Sequence, residues 1–314
     1  MKIGFIGLGN VGGKLCGSLI RNGLEVRVHD LDPALVAAKV AAGAHDGGKP
    51  PAMMAACDAV ITCLPSPAAS AAVLGEMMPE VGPGKIWMEM STTDADEVRR
   101  IGQEVLAAGG AAVDCPVSGG CHRADTGNIS IYAGCERDTF ERILPLLTVM
   151  GRRVLHTGPL GSASVLKVMT NYLATANLLT LCEALTVMKA SGVDLGTAFE
   201  AISISSGTSF VHETESKLIL SGARDVNFTM DLVQKDIGLF QKLADDAGVP
   251  LEISPLLIEI IADGQRRYGE RAQSDRIIER LEEATGLSVT APGFPDELID
   301  DEPEEPGYEV VPAR

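Results

Sequence analysis

Aromatic side chains are scarce: 4% of the 314 residues, with a single Trp. The core must therefore be aliphatic. No Cys-x-x-Cys pair occurs, which removes the commonest zinc and dithiol motifs. The seven cysteines are Cys16, Cys57, Cys63, Cys115, Cys121, Cys135 and Cys182, an odd number, several of them in apolar runs. They read as reduced core residues. Cys115 suits either a nucleophile or a filler thiol, and the filler is favoured because no histidine is placed nearby in sequence to activate it. Basic residues are also few, 26 against 43 acidic, for a net charge of −17. That balance argues against nucleic acid and anionic membrane as partners, because phosphates attract Lys- and Arg-rich surfaces. No signal peptide fits, because Met1-Lys2 runs at once into a strand pattern, and a cytoplasmic location is expected. No apolar run reads as long enough and charge-free enough to span a bilayer.

What is present is 46% hydrophobic with mixed charge, a globular composition in a chain long enough for two domains. Lys2 to Ile6 is a short buried-strand pattern, followed by Gly7-Leu8-Gly9-Asn10-Val11-Gly12. A helix pattern with Val11, Leu15, Leu19 and Ile20 on one side stops at Asn22-Gly23, and a second strand from Glu25 to His29 ends at Asp30. Strand, Gly-x-Gly-x-x-Gly, helix, strand and then an acid about 20 residues on form a full dinucleotide fingerprint. Gly7 makes the tight turn, Gly9 admits the pyrophosphate and Gly12 lets the helix pack on the strand. The pyrophosphate would sit at the helix N-terminus. Asp30 would accept hydrogen bonds from the ribose hydroxyls and repel a 2′-phosphate, and Leu31 and Asp32 follow it rather than an arginine. NAD is therefore expected over NADP, although Asp30 also suits a turn before Pro33.

The alternation continues. Strands are expected at Ala59–Leu64, Lys85–Met90, Ala111–Asp114, Ile129–Ala133 and Arg153–His156, and helices at about Ala69–Met78 and Asp94–Ala108. Ligands in open α/β sheets bind beyond the carboxyl ends of the strands. Those ends carry Gly7 to Gly12, Asp30, Leu64-Pro65, Ser91-Thr92 and Ser118-Gly119-Gly120. The last of these suits either a small anion-binding nest or an ordinary turn.

Gly161 to Gly192 reads as one long helix, with Ser162 at the N-cap position and Ser191-Gly192 as the stop. Its apolar residues point all round, so it should be buried. Yet Ser164, Lys167, Asn171 and Thr175 fall three and four apart and form one polar line. A buried lysine needs a polar partner. Lys167 suits either a snorkelling or structurally paired lysine or a proton-exchanging group steadied by Asn171. Four further helical patterns follow at about Leu195–Ser203, Phe210–Ser221, Met230–Ala247 and Ser254–Tyr268, and a fifth at about Ser274–Ala284. No strand pattern separates them, so an all-helical domain is expected. From Gly286 the chain turns acidic and proline-rich, which reads as a tail that is disordered or wrapped over a neighbouring subunit.

Four of these motifs, in order, resemble the β-hydroxyacid dehydrogenase family typified by 3-hydroxyisobutyrate dehydrogenase. They are Gly7–Gly12, Asp114–Gly120, Gly161–Asn171 and Lys235-Asp236. The resemblance covers about residues 1 to 285. It implies an α/β fold in which a Rossmann-type doubly wound sheet is followed by an all-helical domain. The divisions would be 1–161 for NAD binding, 162–285 for substrate and oligomerisation, and 286–314 for the tail. It implies a cleft between the domains for a small carboxylate substrate, and a homo-oligomer. By the same resemblance Lys167 is the general acid/base and Asn171 its orienting amide, while Ser118, Gly119 and Gly120 hold the substrate carboxylate. Gly7, Leu8, Gly9, Asn10, Val11, Gly12, Asp30, Leu64, Pro65, Thr92 and Lys235 would contact the cofactor. The expected reaction is reversible hydride transfer between NAD and the hydroxyl-bearing carbon of a small 3-hydroxy acid. Burial and a nicotinamide cation would both lower the pKa of Lys167 toward neutrality.

The sequence departs from the family at Ala163, where a second glycine is frequent, at Ala69, where some members have asparagine, and at Cys121-His122-Arg123. Arg123 suits a contact to a second polar group on the substrate, or a solvated surface position. An imine or semialdehyde reductase, or a non-enzymatic NAD-binding scaffold, are the rival readings. Imine reductases usually replace the lysine, and scaffold relatives generally lose it and gain basic regions, so Lys167 and the acidic composition speak against both.

Overall fold

Strand β1 (Ile3–Ile6) is buried along its whole length, as befits a strand covered on both faces. In the computed structural model, which describes residues 1–313, it pairs in parallel with β2 (Val26–His29), itself flanked by the short β3 (His45–Asp46). On its other side comes β4 (Ala59–Thr62), then β5 (Ile86–Glu89) and β6 (Ala111–Asp114), all parallel. β7 (Val117–Ser118) and β6 pair antiparallel with β8 (Ser130–Gly134). β9 (Arg153–Gly158) runs parallel to β8, and β10 (Tyr308–Glu309) runs parallel to β9. The sheet order is β10-β9-β8-β6-β5-β4-β1-β2-β3, with β7 beside β8.

The helices of this sheet are α1 (Gly12–Arg21), α2 (Pro33–Ala41), α3 (Pro50–Ala56), α4 (Pro67–Met77), α5 (Ala95–Ala107), α6 (Gly120–Thr126) and α7 (Arg137–Met150). Side chains alternate across a strand, and the core follows that alternation. Ile3, Phe5, Ile61, Ile86 and Met88 join one aliphatic cluster with Leu15, Leu19 and Phe140. Ile6, Val60 and Trp87 join another with Met53, Met77 and Val98.

α8 runs from Ser162 to Ala190, as its polar line and flanking glycines predict. By length and composition it is apolar enough to cross a membrane, contrary to the expectation that no such run exists. The long core helix of a soluble protein meets the same criterion, because burial and lipid select the same side chains. α9 (Leu195–Ser203), α10 (Phe210–Ser221), α11 (Met230–Asp246), α12 (Ile253–Tyr268) and α13 (Glu279–Thr285) follow. They enclose a separate core containing Leu185, Ile219, Ile237 and Ile261. The single helix expected over about 274–284 is instead a 3₁₀ turn, Ser274–Ile278, leading into α13.

The chain divides into two compact units, Met1–Lys167 with Asp300–Arg314, and Val168–Ile299. The division falls inside α8 rather than before it, and the expected separate tail is split between the units. Residues 286–299 belong to the helical unit: Val289 is fully buried, the Ala291 amide donates to Leu220, and Phe294 meets Phe199 edge-on at 5.1 Å. Residues from Asp300 return to the sheet of the first unit. Composition suggested disorder or a neighbouring subunit. It does not reveal the arginines, 150 or more residues earlier, that receive the acidic side chains.

Candidate active site

The dinucleotide turn is built as its glycines require. Gly7 adopts φ 95°, and a Cβ there would lie 2.2 Å from the Cys63 carbonyl oxygen. A Cβ on Gly12 would lie 2.1 Å from the Gly7 oxygen. Gly9 is different, since a Cβ there would meet no protein atom. Packing does not demand glycine at that point, so its bare backbone is available to an approaching group. α1 begins beside this turn without a side-chain cap, the arrangement that suits an anion at a helix N-terminus. Asp30, at the end of β2, does more than its sequence position suggested. Its Oδ2 accepts from the Leu8 amide at 2.6 Å and its Oδ1 from the Asp32 amide at 2.9 Å, which clamps the glycine turn to the neighbouring strand. Each carboxylate oxygen keeps further acceptor capacity. Leu31 beside it is 95% exposed.

The ends of β4 and β5 are tied together beneath Leu64-Pro65 and Ser91-Thr92. The Leu64 amide donates to Ser91 Oγ at 2.7 Å, and the Ser91 amide donates to the Glu89 carboxyl at 2.8 Å. Thr62 donates to the other Glu89 oxygen and receives the Trp87 indole N–H. Burial pushes the Glu89 carboxyl up, against the hydrogen bonds from Ser91. Sequence reading missed Glu89; its signal was a lone acid inside an apolar strand.

Ser118 and the two glycines after it turn sharply. Gly119 has φ 131° and Gly120 φ 83°, a region open to glycine and costly for other residues. The His122 ring lies over Gly120, and the Arg123 stem lies over Gly119. Arg123 Nη2 donates to Glu302 at 3.1 Å. Of the two settings expected for Arg123, a substrate contact or a solvated surface, the structure shows its guanidinium on a carboxylate of its own chain, supplied by the returning tail. Cys115 is fully buried, and burial raises its thiol pKa well above the ordinary value, in keeping with a filler role.

Asp114, which precedes this segment, is the acceptor for the start of α8. Its Oδ1 takes the Gly161 amide at 2.7 Å, and its Oδ2 takes the Ser164 amide at 2.7 Å and hydroxyl at 2.9 Å. Ser162, expected to cap, instead pairs its hydroxyl with Thr157. A carboxylate from the sheet meets both the unsatisfied amides and the positive end of the helix dipole. Burial raises the Asp114 pKa, while these bonds pull it down. One turn beyond Ser164 comes Lys167, 8% exposed.

In the helical unit Asn171 donates its amide to Asp236, and Lys235 Nζ reaches the other oxygen of Asp236 at 2.6 Å. Asp236 is buried. It was visible in sequence only as the neighbour of Lys235, yet it fixes both Lys235 and the Asn171 side chain. Lys167 and Asn171 are four residues apart on α8, one turn along the same face.

Both parts of the chain match known families. Residues 2–158 match the family described as the NAD-binding domain of 6-phosphogluconate dehydrogenase. Residues 161–281 match that described as NAD-binding of NADP-dependent 3-hydroxyisobutyrate dehydrogenase. The chain is 33% identical over 294 residues to 2-(hydroxymethyl)glutarate dehydrogenase of Eubacterium barkeri, covering 92% of this chain and 98% of that one. It is 28% identical over 262 residues to the human cytokine-like nuclear factor N-PAC, covering 82% of this chain but 47% of that one. The fold is similar to that of a 3-hydroxyisobutyrate dehydrogenase from Salmonella typhimurium, with TM-score 0.82 at 23% identity over 89% of this chain and 99% of that one. The chain belongs to the β-hydroxyacid dehydrogenase family.

Proposed function

We propose that this protein is an NAD-dependent dehydrogenase of a small 3-hydroxy acid, with Lys167 as its general acid/base. The observation that carries the reading is the buried Lys167 on a helix whose first turn is held by Asp114, the residue that leads into Ser118-Gly119-Gly120. One carboxylate thereby fixes both the lysine's helix and the segment that would bind substrate.

The residues suit a dinucleotide. The open space over Gly9, the uncapped start of α1 and the carboxylate of Asp30 would hold the pyrophosphate and the ribose, with Lys235 toward the nicotinamide end. Bound nicotinamide supplies the hydride acceptor or donor. Asp30, followed by Leu31 and Asp32 rather than a cation, favours NAD over NADP. In oxidation Lys167 as the neutral amine takes the hydroxyl proton, and in reduction its ammonium returns it. Asn171, its Nδ2 held by Asp236, presents its carbonyl oxygen in a fixed direction and steadies Lys167 and the substrate hydroxyl. Ser118 and the Gly119 and Gly120 amides hold the substrate carboxylate and so fix the carbon that reacts. The likeness to 2-(hydroxymethyl)glutarate dehydrogenase supports testing a dicarboxylic hydroxy acid beside 3-hydroxyisobutyrate. We take the enzyme to work in the cytoplasm as a homo-oligomer, without nucleic acid or membrane.

The test is a panel of 3-hydroxyisobutyrate, 2-(hydroxymethyl)glutarate, 3-hydroxypropionate, serine and glycerate with NAD and NADP, followed by NADH or NADPH absorbance. Turnover of one 3-hydroxy acid with NAD is expected. Lys167→Ala should lower kcat by about 10²- to 10⁴-fold with NAD affinity kept. Near-normal kcat in that variant removes Lys167 from the chemistry. Silence of the wild type across the panel with NAD still bound favours a non-enzymatic NAD-binding scaffold.

A further inference from the structure

Residues 300–310 run back over the first unit as a strap. The anchor is backbone pairing: the Gly307 amide donates to Thr148, Tyr308 to Arg152 and Val310 to Val154. Arg137 meets both oxygens of Glu309, and Arg152 pairs with Glu305. Gly307 sits so close that a Cβ there would lie 2.0 Å from the Gly151 oxygen. The register of the strap is therefore fixed.

What lies upstream of the anchor is directed at one place. Asp300 Oδ2 accepts from the Thr126 hydroxyl and from Asn128 Nδ2 at 2.8 Å. Asn128 Nδ2 also reaches the Glu302 carbonyl at 2.9 Å, and Arg123 pairs with the Glu302 carboxylate. Glu304 lies against Gly127 and receives Asn22 Nδ2 at 3.1 Å. Glu304 also faces Arg21 at 3.6 Å, so two partners, Arg21 and Asn22, lie at the end of α1; the others belong to residues 123–128, shortly after Ser118-Gly119-Gly120. α6 has seven residues, too few to hold its shape alone. From α1 the Arg21 guanidinium donates to the Asp125 carbonyl, and Lys14 faces the Asp125 carboxylate at 3.6 Å. α6 is thus held both by α1, which follows the dinucleotide turn, and by the strap.

We infer that the strap positions the substrate-carboxylate segment, with Asp300 and Glu302 as its positioning residues. Neither touches substrate. Both fix Arg123, Thr126 and Asn128, and through them the backbone whose Gly119 and Gly120 amides would meet the carboxylate. The inference rests on the carboxylate reading of Ser118–Gly120 given above.

The experiment compares wild type with Asp300→Ala, Glu302→Gln and Ser118→Ala, using whichever of 3-hydroxyisobutyrate and 2-(hydroxymethyl)glutarate turns over faster. KM, kcat, NAD affinity and amide hydrogen exchange over residues 118–128 are measured. Asp300→Ala should raise KM about tenfold, the scale of one lost charge-assisted hydrogen bond. Its kcat and NAD affinity should stay within about twofold, and exchange over 118–128 should quicken. Glu302→Gln should move both readouts the same way by less, and it covers the case in which Asp300→Ala folds poorly. Quickened exchange with unchanged KM overturns the inference, because the strap would then only stiffen the fold. Ser118→Ala separates the two ideas: an unchanged KM there sinks the carboxylate reading. A raised KM there beside an unchanged one in Asp300→Ala sinks the strap.

Discussion

Asp114 in the first unit and Asp275 in the second are both carboxylates with no solvent exposure, and their surroundings treat them oppositely. Asp114 meets two backbone amides and a hydroxyl at the start of a long helix. Neither oxygen of Asp275 meets a donor at full hydrogen-bond geometry, and the enclosed Oε2 of nearby Glu215 is unmet. Burial pushes Asp275 up to about 7, although the adjacent amides of Asp275 and Arg276 and the Arg224 guanidinium pull its pKa down. Burial pushes Glu215 up to about 8, and the charge of Asp275 adds to that rise. Buried charge is tolerable where donors converge and costly where they do not. One carboxylate organises the lysine helix, while the other pair depends on holding protons.

The sharpest way to break this comparison is Asp114→Ala. It leaves the amides of Gly161 and Ser164 without their acceptor and should cost about 3 kcal/mol, read as a lower denaturant midpoint. A loss below about 1 kcal/mol would mean that water or Ser162 replaces the cap. Next in size is Asp275→Asn. The folded pKa of Asp275 lies above its ordinary value of 3.8, so the fold binds the proton more tightly than the unfolded chain. Its contribution is fully present below about pH 4 and is lost as pH rises through about 7. A rise from 3.8 to about 7 corresponds to about 4 kcal/mol, which relaxation and water entry around the ionised group should cut to about 2 kcal/mol. Asp275→Asn should therefore raise stability by about that amount at pH 8 and make little difference at pH 4. A gain that is the same at both pH values would show that packing, not ionisation, is at stake. The smallest effect is expected from Asp236→Asn, where the Asn171 contact keeps an oxygen but Lys235 loses its counter-charge. A loss of about 1 kcal/mol with a shifted pH profile of kcat would place Asp236 in support of the proton-exchanging residues.

Much of the frame was legible because it is written in local pattern. Gly7 to Gly12 and Asp30 announced the dinucleotide turn, the alternating strands announced the parallel sheet, and α9 and α10 fall at their expected bounds. The polar line of Ser164, Lys167, Asn171 and Thr175 marked a face of α8 on which Ser164 and Asn171 meet carboxylates and Lys167 is buried. What stayed hidden was every acceptor supplied from a distance. Asp114 lies 47 residues from the amide of Gly161 that it takes, and Asp236 lies 65 from Asn171. Nor can periodicity align Arg123 with Glu302, 179 residues on. α7 passed unremarked between two expected strands, and α2 and α3 are short helices opening on prolines that read more readily as turns.

The return of residues 300–310 to the first sheet has a mechanical consequence. Chain on both sides of the helical unit is anchored in the same sheet, through β9 and through β10. A pulling force applied at residues 2 and 310 therefore enters and leaves through that sheet. It must strip β10 from β9 and release the Arg137–Glu309 pair before any tension reaches the helical unit. Held at both ends, that unit also has fewer unfolded arrangements open to it than a free appendage would.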